Sequence, residues 1–156
     1  MHWPFVCHSP RTSRSPVIYN SPHSGRIYQQ SFLTQAALSY QQIRISEDFY
    51  VDQLFESVTE NDSFLLEACF PRSFVDVNRS AGDLDHKLIS DLTPAGISTK
   101  TAAGLGVIPR VVGDGIHIYH QKLKLEQVNA RLNMCYFPYH YELQKLIQQS
   151  LENFGM

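Results

Sequence analysis

Three apolar residues, Val17-Ile18-Tyr19, run into Asn20-Ser21-Pro22 and then into a histidine flanked by small residues, His23-Ser24-Gly25. Two of the three are strong β-formers, so they read as a short buried strand, which Asn-Ser-Pro stops just before the histidine. His23 is thereby placed at a strand end. In open α/β sheets ligands bind at the carboxyl ends of strands, and a neutral imidazole on a loop there can ligate a metal. The same residue can equally cap a turn, because a metal needs several ligands and this segment offers one.

Two further segments extend the sheet. Ser63-Phe64-Leu65-Leu66-Glu67-Ala68 reads as a second strand and Phe74-Val75-Asp76-Val77-Asn78 as a third. Alternation in the third puts Phe74, Asp76 and Asn78 on one face and Val75, Val77 and Arg79 on the other. An Asp, an Asn and an Arg at a strand end, with Arg72 just ahead, make either a fork of donors for a carboxylate or an internal Asp76–arginine salt bridge.

Helical segments alternate with these strands, as in an α/β fold. Residues 27–45 carry Phe32, Leu33, Ala36, Ala37 and Leu38 and predict a weak helix. Ser46 reads as an N-cap with Glu47 and Asp48 in the first turn, where the macrodipole favours acids. Val51, Leu54, Phe55 and Val58 follow at helical spacing and are expected to face the sheet. On spacing alone, capping and solvation account for Glu47, Asp48 and Asp52 better than metal binding does. Residues 80–100 show little periodicity and residues 102–110 carry Gly104-Leu105-Gly106, so both read as loop, the second lying over the site. Ile116-His117-Ile118-Tyr119 predicts a short strand or hairpin arm. Leu125, Val128, Leu132 and Cys135 mark one C-terminal helix; a second starts at Pro138 and runs through Leu143, Leu146, Ile147 and Leu151 to a stop at Gly155. His140 in its first turn suits a neutral hydrogen-bonding role.

With 156 residues, the chain is of a size for one domain, able to bury about 70% of its unfolded surface. A net charge of -2 provides no field suited to nucleic acid or an anionic membrane. Cys7, Cys69 and Cys135 are odd in number and widely spaced, which suggests reduced, buried thiols and a cytoplasmic setting. The first residues show no secretion-signal pattern, and no apolar run reaches the roughly 20 residues that span a bilayer. Residues 1–16, polar and proline-bounded over Ser9–Pro16, are expected to be a flexible lead-in.

Five stretches together carry a resemblance: Ser21-Pro22-His23-Ser24-Gly25-Arg26, Ser46-Glu47-Asp48 with Val51-Asp52, Pro71-Arg72 through Val75-Asp76-Val77-Asn78-Arg79, Gly104-Leu105-Gly106-Val107-Ile108-Pro109-Arg110 and Pro138-Tyr139-His140. In that order they resemble the N-formylglutamate amidohydrolases, relatives of the zinc carboxypeptidases. The resemblance implies a three-layer α/β/α sandwich with a mixed sheet and one catalytic zinc. It implies His23 and Asp48 as metal ligands, and Asn78 and Arg79 as a pair holding a substrate carboxylate. Arg72 would be a second anion contact or an oxyanion stabiliser, and Arg110 and His140, in family motifs, would belong with the substrate-binding residues. The implied substrate is a small acidic N-acyl amino acid, N-formyl-L-glutamate or a similar one, released as formate and glutamate. Zinc would polarise the formyl carbonyl and lower the pKa of its bound water toward about 7.

The resemblance also carries a departure. The family takes its third zinc ligand from a histidine in an Asp-x-His-Ser strand, with a catalytic acid later still, and no Asp-x-His-Ser occurs in this sequence. A catalytic zinc usually has three protein ligands. The expectation is therefore a single partial domain over residues 1–156, truncated at its C-terminus. Two functions follow from it: a zinc amidohydrolase, or a catalytically silent remnant that binds an anion or a partner.

Overall fold

A computed structural model describes residues 4–94 and 96–155. Its centre is a mixed three-stranded sheet in the order β1-β3-β2, built from β1 (Phe5–His8), β2 (Ile18–Ser21) and β3 (Phe64–Ala68). β1 runs antiparallel to β3, with Phe5 opposite Ala68, and β2 runs parallel to it, with Ile18 opposite Phe64. β2 and β3 lie where the sequence predicts strands. β1 overturns part of the expectation for residues 1–16: Phe5–His8 is an edge strand and residues 9–16 beyond it are irregular, while residues 1–3 lie outside the described residues. Phe5 and Cys7 alternate inward against the core while Val6 points out, and Pro4 sits at the strand start, where a missing N–H does no harm and its carbonyl accepts from Cys69 N–H at 2.8 Å.

Parallel strands need a long crossover, and residues 22–63 supply it. It holds three short helices, α1 (Gln30–Gln35), α2 (Tyr40–Ile43) and α3 (Val51–Leu54), with 3₁₀ turns over Arg44–Ser46 and Glu56–Asn61. Ser46 does not cap a helix. It closes the first 3₁₀ turn, and its hydroxyl bonds back to the Ile43 carbonyl at 3.2 Å. The apolar residues that follow do not face the sheet as a stripe either, for Leu54 is 74% exposed. Tyr50 takes a left-handed conformation at the head of α3 and Phe55 leaves helical angles at its end, so the period is cut after one turn.

The third expected strand is also absent. Residues 71–79 form successive turns, with Phe74 N–H and Arg79 N–H bonding to the nearby carbonyls of Pro71 and Asp76. Phe74, Val75, Asp76 and Val77 are all buried, so this loop threads the core instead of presenting two faces. After α4 (Thr99–Ala102), Val111–Val112 (β4) pairs with Ile116–His117 (β5) as the expected hairpin arm. Helices α5 (Leu125–Arg131) and α6 (Phe137–Phe154) are joined by a π-helical turn over Leu132–Tyr136. Pro138 cannot donate within a helix and its ring crowds the carbonyl four residues back; the wider π turn makes room, so the two expected helices run on continuously. Gly155 ends α6 in the left-handed conformation at φ 66°.

The core joins β3 to the loop over residues 74–77, to Val107, Ile118 and Val128, and to α1 through Phe32. The three cysteines are unpaired thiols, and burial pushes Cys135 up to about 12. No helix among the described residues is long and apolar enough to cross a membrane. Leu66, fully buried at the middle of β3 between Cys7 and Asn20, should cost about 2–5 kcal/mol when cut to Ala, read as a lower urea midpoint at unchanged slope.

Candidate functional site

Because β2 and β3 are parallel, the chain leaves both at the same sheet edge. From β2 it enters the His23 turn, and from β3 it enters the loop carrying Arg72 and Asp76. Ser21 and Ser24 clamp the first turn through their hydroxyls at 2.7 Å. Ser24 Oγ then donates to the Asp48 carbonyl at 2.9 Å and accepts from Asp52 N–H at 3.3 Å, while Asp48 N–H donates to the His23 carbonyl at 3.1 Å. The last three of these bonds stitch the histidine turn to the acidic segment of the crossover. Arg26 adds an ion pair with Asp52. Gly25 permits the close crossing past the end of β3: a Cβ there would stand 2.2 Å from the Phe70 carbonyl oxygen.

The result is an imidazole between two carboxylates. His23, 5% exposed, has Nδ1 at 3.3 Å from Asp48 Oδ2 and Nε2 at 2.9 Å from Asp76 Oδ1. Asp76 is 2% exposed and is the hub of the arrangement. Its Oδ2 accepts from Arg72 Nε and Nη2 at 3.2 and 3.1 Å, its Oδ1 also accepts from Asn78 N–H at 2.9 Å, and Arg79 Nε lies 3.8 Å away. Burial alone would raise the Asp76 carboxyl. The His23 hydrogen bond, with the Arg72 charge and the Asn78 N–H, outweighs it and holds Asp76 below the ordinary carboxylate range.

That charge fixes what His23 can do. A neutral imidazole has one N–H, and the ionised, well-hydrogen-bonded Asp76 takes it from Nε2. Nδ1 then turns a lone pair toward Asp48 Oδ2, itself an acceptor, and two acceptors at 3.3 Å repel unless a proton or a cation lies between them. Two donors bound at 2.0–2.1 Å to one tetrahedral zinc stand about 3.3 Å apart, so this pair fits a shared divalent ion. A carboxylate orienting the far nitrogen of a metal-binding histidine is the usual support for such a ligand. Among the described residues no third His, Cys, Asp or Glu joins them as a metal-holding group.

Asp48, Arg72 and Asp76 open onto a cleft of about 390 Å³. Its far wall is Ala103, Leu105 and Pro109 with the turn at residues 113–115, so the glycine-containing loop does lie over the site as the sequence suggested. Arg72 spans the carboxylates: two nitrogens hold Asp76, while Nη1 lies 3.9 Å from Asp48 Oδ1 and remains available to the cleft. Of the two readings of the 72–79 cluster, the internal Asp76–arginine salt bridge is the one that forms, with Arg72 as its cation.

Other expected site residues stand back. Asn78 contributes its backbone N–H to Asp76, and Arg79 lies behind it with Nη1 3.5 Å from the Asn78 carbonyl; neither lines the cleft. Arg110 is bound to the fully buried Asp85 carboxylate at 2.8 Å, and His140 donates from Nε2 to the Val77 carbonyl at 2.9 Å while stacking on Tyr136. Both hold the site's walls from outside. Glu47, read from the sequence as a first-turn acid, neither caps a helix nor joins a metal-holding group among the described residues: its buried carboxylate lines the cleft and is held by Arg44 and by the Tyr28 hydroxyl at 2.7 Å. Burial, reinforced by that bond, pushes the Tyr28 phenol far up. Sequence reasoning missed Ser73, whose buried hydroxyl stands in the same wall.

Residues 15–156 match the N-formylglutamate amidohydrolase family. Among solved structures, the crystal structure of N-formylglutamate amidohydrolase from Ralstonia eutropha JMP134 resembles the chain with a TM-score of 0.90 and 34% sequence identity. The similarity covers 97% of this chain and 54% of that one, so this chain spans about half the length of the structure it matches. No curated protein gave a significant match.

Proposed function

Because the chain belongs to the N-formylglutamate amidohydrolase family, we propose that it serves zinc-dependent hydrolysis of N-formyl-L-glutamate, or a similar N-acyl acidic amino acid, to formate and glutamate. One observation carries the reading: a histidine oriented by a buried carboxylate turns its free nitrogen onto a second carboxylate at 3.3 Å. His23 Nδ1 and Asp48 would hold the zinc, which when bound supplies a polarised carbonyl and a water acidic enough to attack near neutrality. Asp76 keeps the His23 proton on Nε2. Arg72, anchored by Asp76, offers Nη1 to negative charge in the cleft, either the substrate carboxylate or the oxygen that gains charge as the amide is attacked. Arg79 and Asn78 are placed to respond to a ligand through Asp76, and Arg110 and His140 act by holding the walls.

The second reading, a family member that binds an anion without turnover, is favoured by the two-donor set, since two ligands hold zinc less tightly than three. Elemental analysis and formate release on one sample separate the two. About one zinc per chain, with metal and turnover both falling more than about 100-fold in His23→Ala, is the expected result. A metal-free chain, or turnover that survives His23→Ala, would overturn the hydrolase reading.

A further inference from the structure

Arg131, at the end of α5, carries its guanidinium inside the protein and is 5% exposed. Its Cζ lies 4.5 Å from the ring centroid of Phe74 and 5.4 Å from those of Phe32 and Tyr119. Nη1 donates to the Tyr119 hydroxyl at 2.7 Å and lies 3.5 Å from the Phe74 carbonyl, and Nη2 donates to Gln35 Oε1 at 2.7 Å. All of these acceptors are neutral. Arg26, Arg44, Arg72, Arg79 and Arg110 each face a carboxylate, whereas Arg131 has none among the described residues. A guanidinium has five N–H donors, so Nε–H and one Nη2 N–H are left over, the number that a single carboxylate accepts.

The unpaired charge is reachable. Arg131 lines a cleft of about 240 Å³ with Phe32, Gln35, Phe74 and Ala130. Gln35 and Gln127 carry that cleft into a groove of about 590 Å³ bordered by His120, Lys122 and Lys124. Neither space is lined by an Asp or Glu among the described residues, although acids outnumber Lys and Arg in the chain by 15 to 13. Neither shares a lining residue with the cleft at Asp48 and Arg72.

We infer that this groove is a second anion site, separate from the cleft at Asp48 and Arg72, that takes a small dicarboxylate with one carboxylate on Arg131 and the other beneath Lys122 and Lys124. The aromatic faces hold the guanidinium without neutralising it, so the incoming carboxylate meets a desolvated, preorganised cation. The lysines supply a screened attraction that should weaken with salt.

Glutarate titrated into the ¹⁵N-labelled full chain, with the uncharged diamide of the same length as control, tests the inference. Saturable amide shifts for glutarate alone, centred on residues 120–131 and on Gln35, are expected. Ala130→Glu places a carboxylate of the chain's own beside Arg131; it should weaken those shifts at least tenfold without lowering the melting temperature. Lys122→Gln with Lys124→Gln should weaken them several-fold. Shifts confined to residues 45–48 and 72–76, equal response to the diamide, no saturable response, or full binding retained in Ala130→Glu would each overturn the inference. None of these readouts depends on zinc or turnover, so the hydrolase reading stands or falls separately.

Discussion

A Gly25→Ala chain is expected to melt at least about 10 °C below the parent and to lose its grip on metal with the same substitution. The added Cβ would meet three backbone atoms, the Phe70 oxygen at 2.2 Å, the Cys69 carbonyl carbon at 2.6 Å and the Ala68 oxygen at 2.7 Å. No flexible side chain is available to yield. The turn after β2 must move off the end of β3, which breaks the Ile27 N–H to Cys69 carbonyl bond of 2.9 Å and carries His23 away from Asp76. Backbone displacement of this kind belongs with the largest single-substitution effects, above about 4 kcal/mol, and each kcal/mol lowers the melting temperature of a chain this size by about 2–4 °C. Calorimetry gives the first quantity and zinc titration the second. A Gly25→Ala chain with parental stability would show that the crossing is looser than the distances state.

Asp76→Asn is expected to destabilise the chain by about 3 kcal/mol at neutral pH, toward the lower end of what unpairing a buried charge costs. The carboxylate is buried, while the Arg72 it holds is partly open to the cleft and can recover some hydration. The pH dependence has a definite sign. The folded-state value of Asp76 is depressed, so its contribution is present in full above its ordinary unfolded value and is lost as pH falls through the lower folded value. The gap between parent and Asp76→Asn in urea melts should therefore stay level above about pH 5 and narrow on acidification below about pH 4. A gap that widened in acid would mean that Asp76 is not the ionised partner of Arg72 and His23.

The starts and stops of several elements could be read from short stretches because their causes are local. Pro22 follows the last residue of β2, Gly155 ends α6, and the apolar run at residues 64–68 is β3. The segment at residues 74–78 misled because apolar and polar residues alternate in it as in a half-buried strand, yet residues 74–77 are all buried, and its backbone bonds close on Pro71 and Asp76, with the Asp76 N–H reaching the Val107 carbonyl in place of a neighbouring strand. The stripe from Val51 to Val58 misled because its helical period is interrupted by Tyr50 and Phe55, whose backbone angles no hydrophobic pattern encodes.

The amino-acid order alone determined which chemical groups are present and that His23 stands at a strand end, since a proline and a glycine act on their immediate neighbours. It left open whether Asp48 caps a helix or binds a metal, and whether the Asp76 cluster forms a fork of donors for a carboxylate or an internal salt bridge. Those roles were decided by tertiary structure, because His23 meets Asp48 across 25 residues and Asp76 across 53. Parallel pairing of β2 with β3 brings the two loops to one edge, and only there does burial make the same carboxylate both the counter-charge of Arg72 and the group that orients the imidazole.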